Sequence, residues 1–156
     1  MPAALSEILG DLITVNHRLT RLAAYAAHDS ESPAIWRTLS VLRQTGPMRL
    51  GDLAVRSRVS QPTATKLVSH LAARGWTTRQ PDPLDARVAL TSITPAGEAA
   101  LTDWRRRLGL ALLPAFADLP TADIETLERM IGILRDRVDR TEVGDRRELA
   151  ADGVPA

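Results

Sequence analysis

Residues 60–75 read SQPTATKLVSHLAARG, and the division of this stretch into two faces decides the fold. Ser60 suits a helix N-cap and Gly75 a helix stop. Ala64, Leu67, Val68 and Leu71 recur at i, i+3, i+4 and i+7, an inward apolar face. The opposite face carries Gln61, Pro62, Thr63, Thr65, Lys66, Ser69 and His70. A helix of roughly 14 residues is about 21 Å long and has the width of a B-DNA major groove. Short hydroxyl and amide side chains at its N-terminus approach base edges without a steric barrier. Gln reads adenine bidentately, Lys reaches guanine or phosphate, and a Thr methyl touches a thymine methyl. Lys66 is the only lysine in the chain. The same split also describes an ordinary amphipathic helix with a solvated outer face, so the flanking sequence has to discriminate.

Upstream, MRLGDLAVRSRV (48–59) places Leu50, Leu53, Ala54 and Val59 as the apolar side of a short helix and a turn. Before it, Ser32-Pro33 starts a helix carrying Ile35, Trp36, Leu39 and Leu42, and Gly46-Pro47 stops it. Downstream the period changes to two. Trp76, Thr78 and Gln80 alternate with Thr77 and Arg79, and Val88, Leu90 and Ser92 with Ala89, Thr91 and Ile93. These read as two strands flanking a turn-rich tip, PDPLDAR (81–87). An arginine on such a hairpin, Arg87, suits a minor groove, where negative potential concentrates. Asp85 is expected to orient the hairpin rather than face phosphate.

Charge follows the same division. Between Arg37 and Thr91 nine basic residues face three acids, Asp52, Asp82 and Asp85, a balance of +6, and the rest of the chain carries −5. A basic middle between acidic ends fits a polyanionic partner.

The ends of the chain have helical periods. Leu5, Ile8, Leu12, Val15, Leu19, Leu22 and Ala26 are spaced 3-4-3-4, a narrow stripe that asks for another helix against it. Ile124, Leu127, Ile131, Leu134 and Val138 repeat that spacing, with Thr121 expected as the N-cap. Between them, Thr94-Pro95 begins a helix expected to run through Trp104 and Leu108 to Leu113 or Phe116. With aromatics at 3%, the core has to come mainly from Leu, Ile, Val and Ala. The expected architecture is mainly α with a small β-wing. A winged helix-turn-helix lobe (32–93) is flanked by an N-terminal dimerisation helix (1–31) and C-terminal dimerisation helices (94–140), and a frayed tail follows (141–156).

Several functions are disfavoured. The chain has no cysteine, which removes disulfides, thiolate metal sites and thiol redox sensing. His17, His28 and His70 are far apart and no metal-ligand spacing is present, so no metal and no cofactor are expected. No nucleophile elbow, phosphate loop or dinucleotide fingerprint occurs, and no enzymatic activity is expected. No run of 18 apolar residues and no secretory pattern is found, so the expectation is a cytoplasmic protein without membrane contact.

Leu53-Ala54, VSQPTATKLVSHLAARGW (59–76), R-x-x-DPLDAR (79–87) and ITPAG (93–97) together closely resemble the winged-helix core of the MarR family of transcription regulators. The likeness covers roughly residues 35–101, and the D-x-R wing followed by T-P-A-G is its most specific part. The resemblance implies a homodimer whose terminal helices interdigitate and whose lobes occupy successive major grooves of a pseudo-palindromic double-stranded operator. It implies that Gln61, Pro62, Thr63, Thr65 and Lys66, with Ser69 on the same face, are groove-facing. Arg58 and Ser60 would lie near phosphate, Arg87 in the minor groove and Asp85 as its hairpin partner. It further implies repression of a neighbouring gene, relieved when a small aromatic or phenolic acid binds between lobe and dimer helices. Two positions depart from the family's pattern. Ala86 stands where Gly or Arg is frequent, and Arg49 where a hydroxyl N-cap is common.

An effector would sit where the first helix, the helix from Pro33 and the helix from Thr94 meet. Arg18, Arg21, Tyr25, Trp36 and Trp104 are the candidate lining, arginine holding a carboxylate and aromatic rings packing the ligand. The alternative is that the indoles are core and the arginines are exposed. For the whole chain the alternative is a winged-helix module for protein interaction or ligand binding without a specific DNA site.

Overall fold

The computed structural model describes the backbone of residues 2–151 and the side chains of residues 4–141 apart from Ala86. The elements in chain order are α1 (Pro2–Ala26), α2 (Pro33–Thr45), β1 (Met48–Arg49), α3 (Leu50–Arg56), α4 (Gln61–Ala73), β2 (Thr77–Asp82), β3 (Asp85–Ile93) and α5 (Pro95–Leu112). A 3-10 turn (Leu113–Phe116) and α6 (Thr121–Ala151) follow. The chain divides into two compact units after Leu113.

In the first unit α2 is the central helix. Its Ile35, Trp36 and Leu39 pack with Leu71 of α4 and Leu101 of α5. Its Leu42 packs with Met48, Leu53 of α3 and Val68 of α4. Leu39, Leu53, Leu71 and Leu101 are fully buried, each stabilising the fold by roughly 1.5–3 kcal/mol relative to exposure. The expected inward face of α4 is thus the observed one, with Ala64, Val68 and Leu71 buried and Leu67 half-buried.

Three helices end in the same way. At the ends of α1, α3 and α4 a residue with positive φ follows the last turn: His28 (49°), Arg58 (55°) and Gly75 (70°). In each case paired backbone bonds close the end, as Trp76 N–H to Leu71 O and Gly75 N–H to Ala72 O do for α4. Gly75 adopts this conformation freely, whereas His28 and Arg58 adopt it against a Cβ clash of roughly 1–2 kcal/mol.

The sheet is antiparallel in the order β1-β3-β2. β1 is a strand that the sequence pattern does not announce, pairing Met48 with Thr91 and Arg49 with Leu90. Two residues are too few for alternation to register. The wing strands also run further into the tip than the periodicity suggests. Asp82 pairs with Asp85, leaving Pro83-Leu84 as the connection in place of a seven-residue PDPLDAR loop.

α1 packs on α5, yet Ala23 is its one buried residue among those described. Leu5, Ile8, Val15 and Leu22 of the heptad stripe are exposed. In the second unit Ile124, Leu127, Ile131 and Val138 of α6 are likewise exposed. Thr121 is the first helical residue of α6 rather than its cap. The first turn bonds to the Pro120 carbonyl, from Asp123 N (3.0 Å) and Ile124 N (3.2 Å). α6 continues to Ala151, past the expected end at Arg140. Loss of an apolar stripe does not stop a helix whose sequence supplies Arg146, Arg147, Glu148, Leu149, Ala150 and Ala151, all good helix formers. The rest of the expected frayed tail, residues 152–156, lies outside the described residues. No described helix is long and apolar enough to cross a membrane.

Candidate DNA interface and adjoining cleft

Ser60 caps α4, its Oγ accepting from Thr63 N (3.3 Å) and lying 2.8 Å from Thr63 Oγ1. Gln61, Pro62, Thr63, Thr65, Lys66 and Ser69 are all exposed, on the side of the helix away from Ala64, Val68 and Leu71. Thr65 Oγ1 donates to Gln61 O (3.0 Å), so its hydroxyl proton is used within the helix and its acceptor capacity remains. Arg58 is exposed in the turn between α3 and α4. His70, the remaining member of the outer face, is not free: its Nε2 lies 3.5 Å from Glu31 Oε2.

The wing is braced from its base. Arg49 caps α3 with no side-chain bond of its own. Its guanidinium instead reaches Asp82 Oδ2, from Nη2 at 2.8 Å and Nε at 3.3 Å. Asp82 Oδ1 accepts from Leu84 N (2.9 Å), which sets the two-residue turn. Asp85 Oδ1 accepts from Arg87 N (3.0 Å), so Asp85 orders the start of β3 as expected of a hairpin partner. Arg87 is exposed. The departure at Arg49 therefore has a structural use, which the sequence pattern does not reveal because the partner is 33 residues away.

The Leu84 N–H, then Arg49, hold the Asp82 carboxyl below its ordinary value of 3.8. A carboxylate with a lowered folded pKa stabilises the fold fully above its unfolded value, and this stabilisation is lost as pH falls through the folded one. Asp82→Asn should therefore be less stable than the parent at pH 5, with the gap in unfolding midpoint closing below about pH 3.8. A gap that stays constant down to pH 3 would contradict this wing tie.

Beside the lobe, α1, α2 and α5 enclose a cleft of about 540 Å³, within the roughly 300–1,000 Å³ of small-molecule sites. Arg21, Tyr25, Trp36 and Trp104 line it, together with His17, Asp29, Glu31 and Arg37. Arg18 does not. Asn16, His17, Thr20, Arg21, Ala24 and Tyr25 span half the circumference of α1, and at 100° per residue Arg18 falls beyond the edge of that arc. All three tryptophans of the chain form one stack. Trp36 lies 4.9 Å from Trp104 at an interplanar angle of 12°, and 5.6 Å from Trp76 at 30°. Asp29 Oδ2 accepts from both Trp36 Nε1 (2.9 Å) and Trp104 Nε1 (2.7 Å). The two readings of the indoles thus combine: Trp36 is core and lines the cleft as well.

Besides His17 on α1, sequence reasoning missed Asp29, Glu31 and Arg37 in this lining. Asp29 and Glu31 lie in the HDSES segment, which has no periodicity, and Arg37 lies on the exposed side of α2, where its Nη1 donates to Ser57 O (3.3 Å) in the helix-turn-helix turn. Among the described residues no group of His, Asp and Glu is arranged to hold a metal.

The lobe, wing and long helices have counterparts among known proteins. A family model described as "MarR family" matches residues 32–89. An uncharacterized HTH-type transcriptional regulator of Mycobacterium bovis, Mb0904, is 30% identical over 137 residues, covering 87% of this chain and 96% of the relative. Among solved structures, transcriptional regulator Tm0710 from Thermotoga maritima superposes with a TM-score of 0.68 at 25% identity, over 88% of this chain and 98% of that one. A probable transcriptional regulator from Pseudomonas aeruginosa gives a TM-score of 0.53 at 30% identity, over 81% and 96%. The capped, polar-faced α4, the braced wing with its Arg87 and this likeness along nearly the whole chain have one explanation: the chain belongs to the MarR family of HTH-type transcriptional regulators, DNA-binding proteins rather than enzymes.

Proposed function

We propose that the chain acts in the cytoplasm as a homodimeric, sequence-specific repressor on a pseudo-palindromic double-stranded operator, released by a small aromatic acid. The observation that carries this reading is the exposed face of α4. Gln61, Thr63, Thr65, Lys66 and Ser69 are held at the surface by a helix whose other side is core. Arg87 enters the adjoining minor groove while Arg58 and Ser60 lie along phosphate. The unpartnered apolar stripes of α1 and α6 supply the dimer contact. Two-fold symmetry then spaces the half-sites about 34–36 Å apart.

Within this scheme the groove-facing side chains set sequence and the flanking ones set affinity. Gln61→Ala or Thr65→Ala should change which bases are enriched from a random duplex pool, and an unchanged preference would refute the register of α4. Arg58→Gly separates fold from binding. It relieves the positive-φ strain, so the unfolding midpoint should hold or rise by the equivalent of up to about 1 kcal/mol. Binding should weaken on every duplex, with the salt slope reduced by about one. An unchanged slope would count against Arg58 as a phosphate contact, and a lower midpoint against strain at its positive φ.

The cleft supports the effector. Its arginines, Arg21 and Arg37, suit a carboxylate, and Trp36 and Trp104 suit an aromatic ring. The Asp29 carboxylate is already engaged by both indoles, and the Glu31 N–H donates to its other oxygen at 3.2 Å. Hydroxybenzoic acids titrated to millimolar concentration should quench tryptophan emission and release bound duplex. Quenching without release, or neither, would refute the effector reading.

A further inference from the structure

The cleft and α4 share one acidic side chain. Glu31 lies on the loop between α1 and α2 and lines the cleft, and its carboxylate also pairs with Arg74 and approaches His70. Arg74 is the C-cap residue of α4 and His70 lies in its last turn. The Glu31 side chain is 15% exposed, against 42% for Arg74 and 45% for His70, so the acid is the enclosed member of the cluster. The Arg74 guanidinium also lies 4.9 Å from the centroid of Trp76, at one end of the indole stack whose other members line the cleft. Through its backbone N–H, Glu31 is tied to Asp29, which holds two of those indoles. The loop is therefore fixed to the cleft wall on one side and to the end of α4 on the other.

The apolar packing of α4 ends at Leu71, and Ala72 and Ala73 are exposed. Leu71 anchors the inner side of the last turn in the core, and on its outer side the turn is held by the Arg74–Glu31 pair, the stacking of Arg74 on Trp76 and the backbone closure at Gly75. A 13-residue helix is about 20 Å long, so a 5° tilt at one end displaces the other by about 1.7 Å. Base-edge hydrogen bonds tolerate a few tenths of an ångström.

We propose that Glu31 is a positioning residue for DNA recognition: it sets the orientation of α4 from its C-terminal end and couples that orientation to the cleft through the Glu31–Arg74 pair. The proposal rests on the reading of α4 as the recognition helix, not on the identity of any effector.

The test uses the full-length protein, an operator duplex selected with the parent and an unrelated duplex. Glu31→Gln should weaken operator binding by roughly 2- to 30-fold. Because it removes a negative charge, it should leave binding to the unrelated duplex unchanged or tighter. Arg74→Gln should also weaken operator binding, and the double variant should be no weaker than Arg74→Gln alone. The three tryptophans all lie in the stack, so acrylamide quenching of their emission reports on the cleft. Operator binding should change that quenching in the parent and not in Glu31→Gln. If Arg74→Gln lowers the unfolding midpoint, Arg74→Met, which keeps an unbranched stem over Trp76 and removes the charge, takes its place in the cycle. Parent-like operator affinity in Glu31→Gln, equal losses on both duplexes, additive losses in the double variant, or an intact quenching response would each overturn the proposal. If the parent itself selects no operator, the reading of α4 fails instead, a result separate from all four.

Discussion

Replacing Gly97 by alanine is expected to cost stability at or above the upper end of the roughly 1–3 kcal/mol range for overpacked sites. A Cβ at position 97 would lie 2.2 Å from the Trp76 carbonyl oxygen, 2.9 Å from Ile93 Cγ1 and 3.0 Å from the Trp76 carbonyl carbon. That carbonyl cannot give way cheaply. It accepts the Thr94 N–H (3.0 Å), and the Trp76 N–H closes α4 on Leu71 O. Thr94 is at the same time the N-cap of α5, its Oγ1 accepting from Gly97 N (3.1 Å) and donating to Gly75 O. The T-P-A-G sequence is therefore a docking device. Thr94 caps, Pro95 starts the helix, and Gly97 lets the first turn of α5 rest against the Trp76 backbone. Alanine has to push α5 outward, withdrawing Leu101 from the core and Trp104 from the stack. For a chain of this size about 3 kcal/mol corresponds to a midpoint lower by about 6–12 °C. A midpoint within a degree or two of the parent would show that this contact is not as close as described.

Arg87→Ala should weaken operator binding by roughly 1–3 kcal/mol, or about 5- to 150-fold, with modest dependence on sequence. Arg87 is exposed on β3. Its backbone N–H holds the Asp85 carboxylate, and that bond survives substitution because it is made by the main chain. The change should therefore leave stability within about 0.5 kcal/mol of the parent. On the proposed wing reading, the loss would be that of a cation in the minor groove, where negative potential concentrates. Overlaid titrations of variant and parent would refute the wing assignment.

The parts of this fold that were legible in the sequence are those written in short-range repeats. The inward face of α4, the Ser32-Pro33 and Thr94-Pro95 helix starts and the Gly75 stop each depend on residues within a turn of one another. What was illegible depends on partners distant in sequence. β1 exists because Met48 and Arg49 pair with Thr91 and Leu90. Arg49 looks like a poor cap until Asp82 is placed beside it. The candidate cleft was half visible, since Arg21, Tyr25, Trp36 and Trp104 could be nominated by type and position. Asp29, which joins two indoles 68 residues apart in the chain, sits in an aperiodic loop that gives no such signal. Arg18, nominated on the same grounds, lies on α1 just past the edge of the arc that lines this cleft.

Selection from a random duplex pool, with the purified protein at roughly physiological salt, asks whether a dimer reads DNA through the outer face of α4. The expected result is enrichment of an inverted repeat with half-sites about 10 base pairs apart. Folded, dimeric protein that enriches no sequence would contradict it, and would make the +6 stretch between Arg37 and Thr91 a basic surface for some other partner.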